Sequence, residues 1–179
     1  VASRFEEPVA SVRAIAEASP IFLHATRDLV GVEVIGAISN VTAIAVGMAH
    51  GLELGETARG VLLTHGLADA ARIGTRLGAE RTTFAGLAGI GDMIPRKVNS
   101  TDQHHAVGRK IAGGAFPDQD DVEGLVTARA AVVRAMSLGI RVPLVEAVAA
   151  ICARDLDPRQ GLMGVLESNL DLDGAFGGR

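Results

Sequence analysis

One stretch limits what this chain can become more than any other. Leu29–Leu52 is long and almost wholly apolar, enough to resemble a membrane-spanning helix. Glu33, Asn40 and His50 lie inside it, and no basic cluster flanks either end. An unpaired carboxylate is costly in lipid. The stretch therefore reads as the buried central helix of a helical domain, with no membrane span. Such a helix needs others around it, and the downstream sequence supplies them.

From Asp28 the apolar period is helical almost throughout. Asp28 caps the first of these helices, which is expected to run to Met48–His50 with Gly51 as its stop. Further helices are expected over Glu56–Leu77, closed by Gly78, and over a short piece, Thr82–Leu87. Others follow at Asp102–Ile111, Val122–Leu138, Pro143–Ala153 and Pro158–Glu167. Pro143 and Pro158 sit where a first-turn proline belongs, with Asp157 as a cap, and Gly139 closes the helix before Pro143. Ala88–Thr101 is punctuated by Gly and Pro and reads as a loop with a turn of helix. Asp171–Arg179 reads as a frayed tail.

The first 27 residues differ. Glu6–Ala18 has helical spacing and Ile21–Thr26 reads as a strand, giving one βαβ-like unit that cannot cover both its faces alone. With Val as its first residue, the chain reads as a piece of something longer. The expected organisation is residues 1–27 as the end of an α/β domain, 28–170 as a helical domain and 171–179 as a tail.

Composition narrows the function. Of 179 residues, 48% are hydrophobic but only 3% aromatic, with five Phe and neither Trp nor Tyr. The core must be built from Ala, Val, Leu and Ile, and no aromatic platforms exist for stacking bases. Seventeen Lys+Arg against 21 Asp+Glu leave a net charge of -4, the wrong footprint for a nucleic-acid partner. The single cysteine, Cys152, excludes an internal disulfide and a Cys-based zinc site and fits a cytoplasmic protein.

Four polar clusters are candidates for chemistry. Gly36, Asn40, Ala43 and Gly47 form a small-residue stripe on the first long helix, with Glu33 one turn earlier. On that stripe Asn40 needs hydrogen-bond partners, either a loop carbonyl or a ligand. The Gly-rich turn from Gly86 to Asp92 either caps a helix or presents a carboxylate. It lacks the spacing and preceding strand of a dinucleotide-binding G-x-G-x-x-G. In Asp102-Gln103-His104-His105 the adjacent histidines point about 100° apart on a helix, so a metal would need a distant partner such as His65, and none is expected. Asp118–Glu123 is acidic ahead of a helix, where the helix dipole favours negative charge.

The order of these motifs resembles one family. Asp28-Leu-Val-Gly-Val-Glu33, Gly36-Ala-Ile-Ser39-Asn40-Val, Ala43-Ile-Ala-Val-Gly47, Leu63-Thr64-His65-Gly66-Leu67-Ala68, Gly86-Leu-Ala-Gly-Ile-Gly-Asp92, Val122-Glu123-Gly124 and Val142-Pro143-Leu144 look like the C-terminal half of bacterial-type NAD(P)-dependent glycerol-3-phosphate dehydrogenase. The likeness covers roughly Val1 to Glu167. It implies an all-α domain like the C-terminal domain of 6-phosphogluconate dehydrogenase, preceded by a short α/β remnant of a Rossmann domain. It implies hydride transfer between NAD or NADP and a small ketone or alcohol such as dihydroxyacetone phosphate or glycerol 3-phosphate. A partner Rossmann domain and a homodimer are implied as well.

By the same resemblance, Asp92 is a catalytic position, Asn40 binds substrate, and Asp102, Gln103 and His104 fall on the phosphate-binding Ser-Arg-Asn run. Gln103 and Glu123 match cofactor-contacting positions. The departures are pointed. Ser39 stands where the family has its catalytic lysine, Gln103 replaces an arginine, and His65 replaces another. A hydroxyl cannot trade a proton near neutral pH, and loss of a positioned acid–base group costs about 10²- to 10⁴-fold. The expectation is a dehydrogenase with an altered substrate. The acid–base role then passes to a second lysine, which the family carries on its Rossmann domain, or to His104, with Lys97 a further candidate. The alternative is a catalytically silent paralogue serving as a dimerisation or regulatory module.

Overall fold

The computed structural model describes residues 1–94, 102–118, 120–169 and 175. Its elements are α1 (Glu6–Ala16), α2 (Leu29–Gly51), α3 (Gly55–Arg76), α4 (Arg81–Ala85), a π-helical turn (Leu87–Gly91), α5 (Gln103–Ala112), α6 (Glu123–Leu138), α7 (Pro143–Cys152) and α8 (Pro158–Glu167).

The apolar stretch is the axis of the fold. Every residue from Val41 to Ala49 is buried, as expected of a helix that is hydrophobic all round. Helices α3, α5, α6 and α7 all pack on α2. The closest crossing is with α5. A Cβ on Gly47 would overlap the His105 carbonyl oxygen, and one on Gly108 would overlap that of Ile44. Each glycine removes the side chain that would hold the two backbones apart. The small-residue stripe is thus divided: its lower end seats α5, while a Cβ on Gly36 would meet open space. Phe84, Ile44, Met48, Leu62, Leu144 and Ile151 are among the largest fully enclosed side chains.

Distant carboxylates fasten the helix starts. Asp28 accepts from Gly31 N at 2.9 Å, and its other oxygen accepts from Glu80 N at 2.9 Å and Thr83 Oγ1 at 2.6 Å. One side chain therefore caps α2 and ties down α4. Asp69 of α3 accepts from Leu144 N at 2.9 Å and Val145 N at 3.1 Å, capping α7 from 75 residues away.

Two expectations need correcting. Ile21–Thr26 is not a strand. Among the described residues the only β-pairing is one isolated parallel bridge, Ala2 with Thr26, made by Ser3 N to Thr26 O at 3.1 Å and Thr26 N to Val1 O at 3.0 Å. No further strand pairs with either arm among these residues, and extended backbone is not a strand without neighbours. Helix α1 buries none of its residues, and Phe22 is 92% exposed. The loop with a turn of helix expected over Ala88–Thr101 is, in its described part, helical throughout: a π-helical turn runs into helical backbone through Ile94. A Cβ on Gly89 would overlap the Phe84 carbonyl oxygen, so the turn wraps tightly on α4. The expected loop residues 95–101, including Lys97, lie outside the described residues, as does most of the expected tail.

Candidate functional site

A cleft of about 610 Å³ opens between the N-terminal segment and the helical body. One wall is Val32 and Gly36 on α2. Another is Thr82 and Thr83 of α4 with Gly86, Leu87, Ala88 and Asp92. Phe22, His24, Ala25 and Thr26 close it from the N-terminal side. Gly36 and Asp92, far apart in sequence, thus line one cavity. Asn40 lies one helical turn beyond Gly36 on the same face of α2, about 6 Å along the axis.

Ser39 occupies the neighbouring position but points elsewhere. It is 2% exposed, and its hydroxyl donates to Gly36 O at 2.8 Å. That proton is held by its own helix, a common arrangement for a mid-helix serine.

A second group gathers where α5 and α6 begin beside α2. Asp102 caps α5, Oδ1 accepting from His104 N at 2.9 Å and His105 N at 3.1 Å. His104 Nδ1 lies 3.7 Å from the same oxygen, with the ring largely enclosed. A Cβ on Gly124 would press on His104 Cδ2 and sit 3.3 Å from Asn40 O, so His104, Gly124 and the Asn40 backbone meet. Gln103 and Glu123, each the first residue of its helix, are exposed. Two solvent-facing polar side chains thus stand on adjoining helix starts.

The adjacent histidines diverge. His105 is fully buried, with neither ring nitrogen hydrogen-bonded among the described residues, and its ring meets His50 edge-on at 5.2 Å between centroids. Burial first, then the His50, Arg109 and Arg59 charges, push its pKa below the usual histidine value. His65 is also buried within α3, its pKa lowered by burial and by Arg72. Among the described residues no three His, Cys, Asp or Glu side chains cluster as a metal site would need.

Among the described residues Asp69 has the most perturbed carboxyl. It is fully buried and pairs with Arg72 at 2.8 Å. Burial raises its pKa to about 7 against the pull of two backbone N–H groups and Arg72. Its partners are 75 residues downstream, so no local pattern marks it. His24 and Thr83 of the cleft are equally invisible without the chain reversal that brings them there.

A sequence model described as NAD-dependent glycerol-3-phosphate dehydrogenase C-terminus matches residues 28–163. Glycerol-3-phosphate dehydrogenase [NAD(P)+] from Acidovorax sp. (strain JS42) is 38% identical over 151 residues, which is 81% of this chain and 46% of that protein. The Polaromonas sp. protein of the same name is 39% identical, over 80% of this chain and 42% of its own length. The chain thus spans less than half the length of these curated relatives. A crystal structure of glycerol-3-phosphate dehydrogenase from Coxiella burnetii superimposes with a TM-score of 0.87 at 28% identity, covering 93% of this chain and 53% of that one. A Dunaliella salina structure shares the fold with a TM-score of 0.72 at 18% identity, over 88% of this chain and 30% of its own. With the matched segment spanning α2 to most of α8, the chain belongs to the family of NAD-dependent glycerol-3-phosphate dehydrogenase C-terminal domains.

Proposed function

We propose that this chain is the substrate-binding half of a longer, cytoplasmic, homodimeric NAD(P)-dependent oxidoreductase acting on a small ketone or alcohol that differs from the family's usual phosphate ester. Residues 1–27 are then the close of a Rossmann domain whose remaining strands would pair with the Ala2–Thr26 arms. The observation that carries this reading is the cleft itself. It lies between that segment and α2, with Gly36 and Asp92 on its walls, at the junction where a nicotinamide from the other half would meet substrate.

The bound nicotinamide supplies or accepts the hydride. On this chain, Asn40 binds the substrate oxygen, Asp92 orients the reacting carbonyl group, and Gln103 and Glu123 reach the cofactor. His104, beside the Asp102 carboxylate, exchanges the proton. Asp102 and Gln103 fit a phosphate poorly: a carboxylate repels it and an amide lacks the arginine fork. Together with Ser39 in place of lysine, they support a substrate without phosphate.

The test is steady-state kinetics of the full-length protein with glycerol 3-phosphate and a panel of small unphosphorylated hydroxy compounds. Faster turnover of an unphosphorylated compound is expected, and glycerol 3-phosphate turning over at ordinary rates overturns the altered-substrate reading. The 179-residue chain by itself is expected to show no NADH- or NADPH-dependent carbonyl reduction. The buried, helix-bonded Ser39 hydroxyl favours a second reading, a catalytically silent paralogue whose Ala- and Gly-rich helices serve assembly. No activity on any substrate, restored by Ser39→Lys with Gln103→Arg, would support it.

A further inference from the structure

On the flank formed by α3, α4 and the α6–α7 connection lies a second cavity of about 630 Å³. Four arginines line it: Arg72, Arg76, Arg81 and Arg141. Two have carboxylate partners at its edge. Arg72 pairs with Asp69 at 2.8 Å, and Arg141 Nε reaches both Glu146 oxygens at 2.9 Å. Arg76 and Arg81 have no carboxylate partner among the described residues. Arg81 Nη1 is enclosed yet donates to nothing there. An enclosed guanidinium N–H without an acceptor is costly to leave unmade, and among the described residues the cavity is lined by four arginines and no carboxylate. Planar guanidinium forks match the oxygens of a phosphate group. Among the described residues its apolar lining is Ile140 and Pro143, with no aromatic ring to grip a base. The cavity is also far larger than one phosphate, since a water takes only about 30 Å³.

We propose that this cavity binds a compact phosphate-bearing anion, held chiefly by Arg76 and Arg81. None of the four arginines belongs to the candidate cleft, so the site stands or falls apart from the reading of that cleft.

The test is calorimetric titration of the 179-residue chain with two probes, inorganic phosphate and the phosphomonoester glycerol 2-phosphate. Saturable binding is expected. A tighter ester identifies the phosphate end of a small metabolite as the occupant, and equal affinities identify free phosphate. Arg76→Gln and Arg81→Gln are each expected to weaken binding about tenfold, the effect of losing one charge-assisted hydrogen bond, while Asp92→Asn leaves it unchanged. Arg76 is exposed, so its variant reports on binding even if Arg81→Gln fails to fold. No binding of either probe at millimolar concentrations, or affinity unaltered by Arg76→Gln, would overturn the proposal.

Discussion

Asp69 shows how much one side chain can hold. Its carboxyl caps α7, pairs with Arg72 and is sealed from solvent. Asp69→Ala leaves two buried N–H groups without their acceptor and removes the carboxylate beside Arg72, and should cost about 3–5 kcal/mol in urea unfolding. Asp69→Asn keeps an acceptor oxygen for Leu144 N and Val145 N and should cost less. The pH dependence carries a definite sign. With the native pKa raised to about 7 from the model-compound value of 3.8, the folded chain holds a proton the unfolded chain has released. This group's stabilising contribution is therefore complete below about pH 4 and is lost as pH rises through 7. Asp69→Asn should abolish that slope in melts at pH 5 and pH 8. His105 acts in the opposite sense. Its pKa is lowered, so acidification below about 6.5 protonates the unfolded chain first and destabilises the fold. His105→Leu should flatten stability between pH 5 and 7. An unchanged slope in that variant would show that His105 is not the group responsible.

Between elements, the seam of α2 and α5 is the tightest. Gly108→Ala should destabilise by about 1–3 kcal/mol or more, because the methyl meets backbone that cannot yield. Gly60→Ala, in α3 with open space around it, should be neutral or stabilise by about 0.4–1 kcal/mol. Equal effects of the two in thermal unfolding would contradict the packing described. The helices themselves were largely readable from residue types: Asp28, Asp157, Pro143, Pro158 and Gly139 mark ends that the structure places within a residue or two. The failures have a physical pattern. A strand at Ile21–Thr26 depends on neighbours in a sheet, which apolar residues alone cannot supply. The π-helical turn depends on Gly89 pressing against Phe84. In the candidate site, the sequence motifs pointed to Asn40 and Asp92 but not to the geometry of Ser39, whose hydroxyl turns into its own helix. That orientation is set by the Gly36 carbonyl one turn back, and a replacement read along the chain does not reveal it.

At the scale of the molecule, the helical body forms one side of a cleft. The cleft is walled on one side by α2 and the Gly86–Asp92 turn, and on the other by a segment whose Phe22 is left in the open. The proposed hydride transfer takes place across this cleft, with Asp92 at the reacting centre. The most direct measurement is kcat/KM of the full-length protein, on the best substrate found, before and after Asp92→Asn. A fall of about 10²-fold or more is expected, as for a group acting at the reacting atoms, with the melting temperature unchanged. A variant that turns over within twofold of the parent would place the chemistry elsewhere and contradict it.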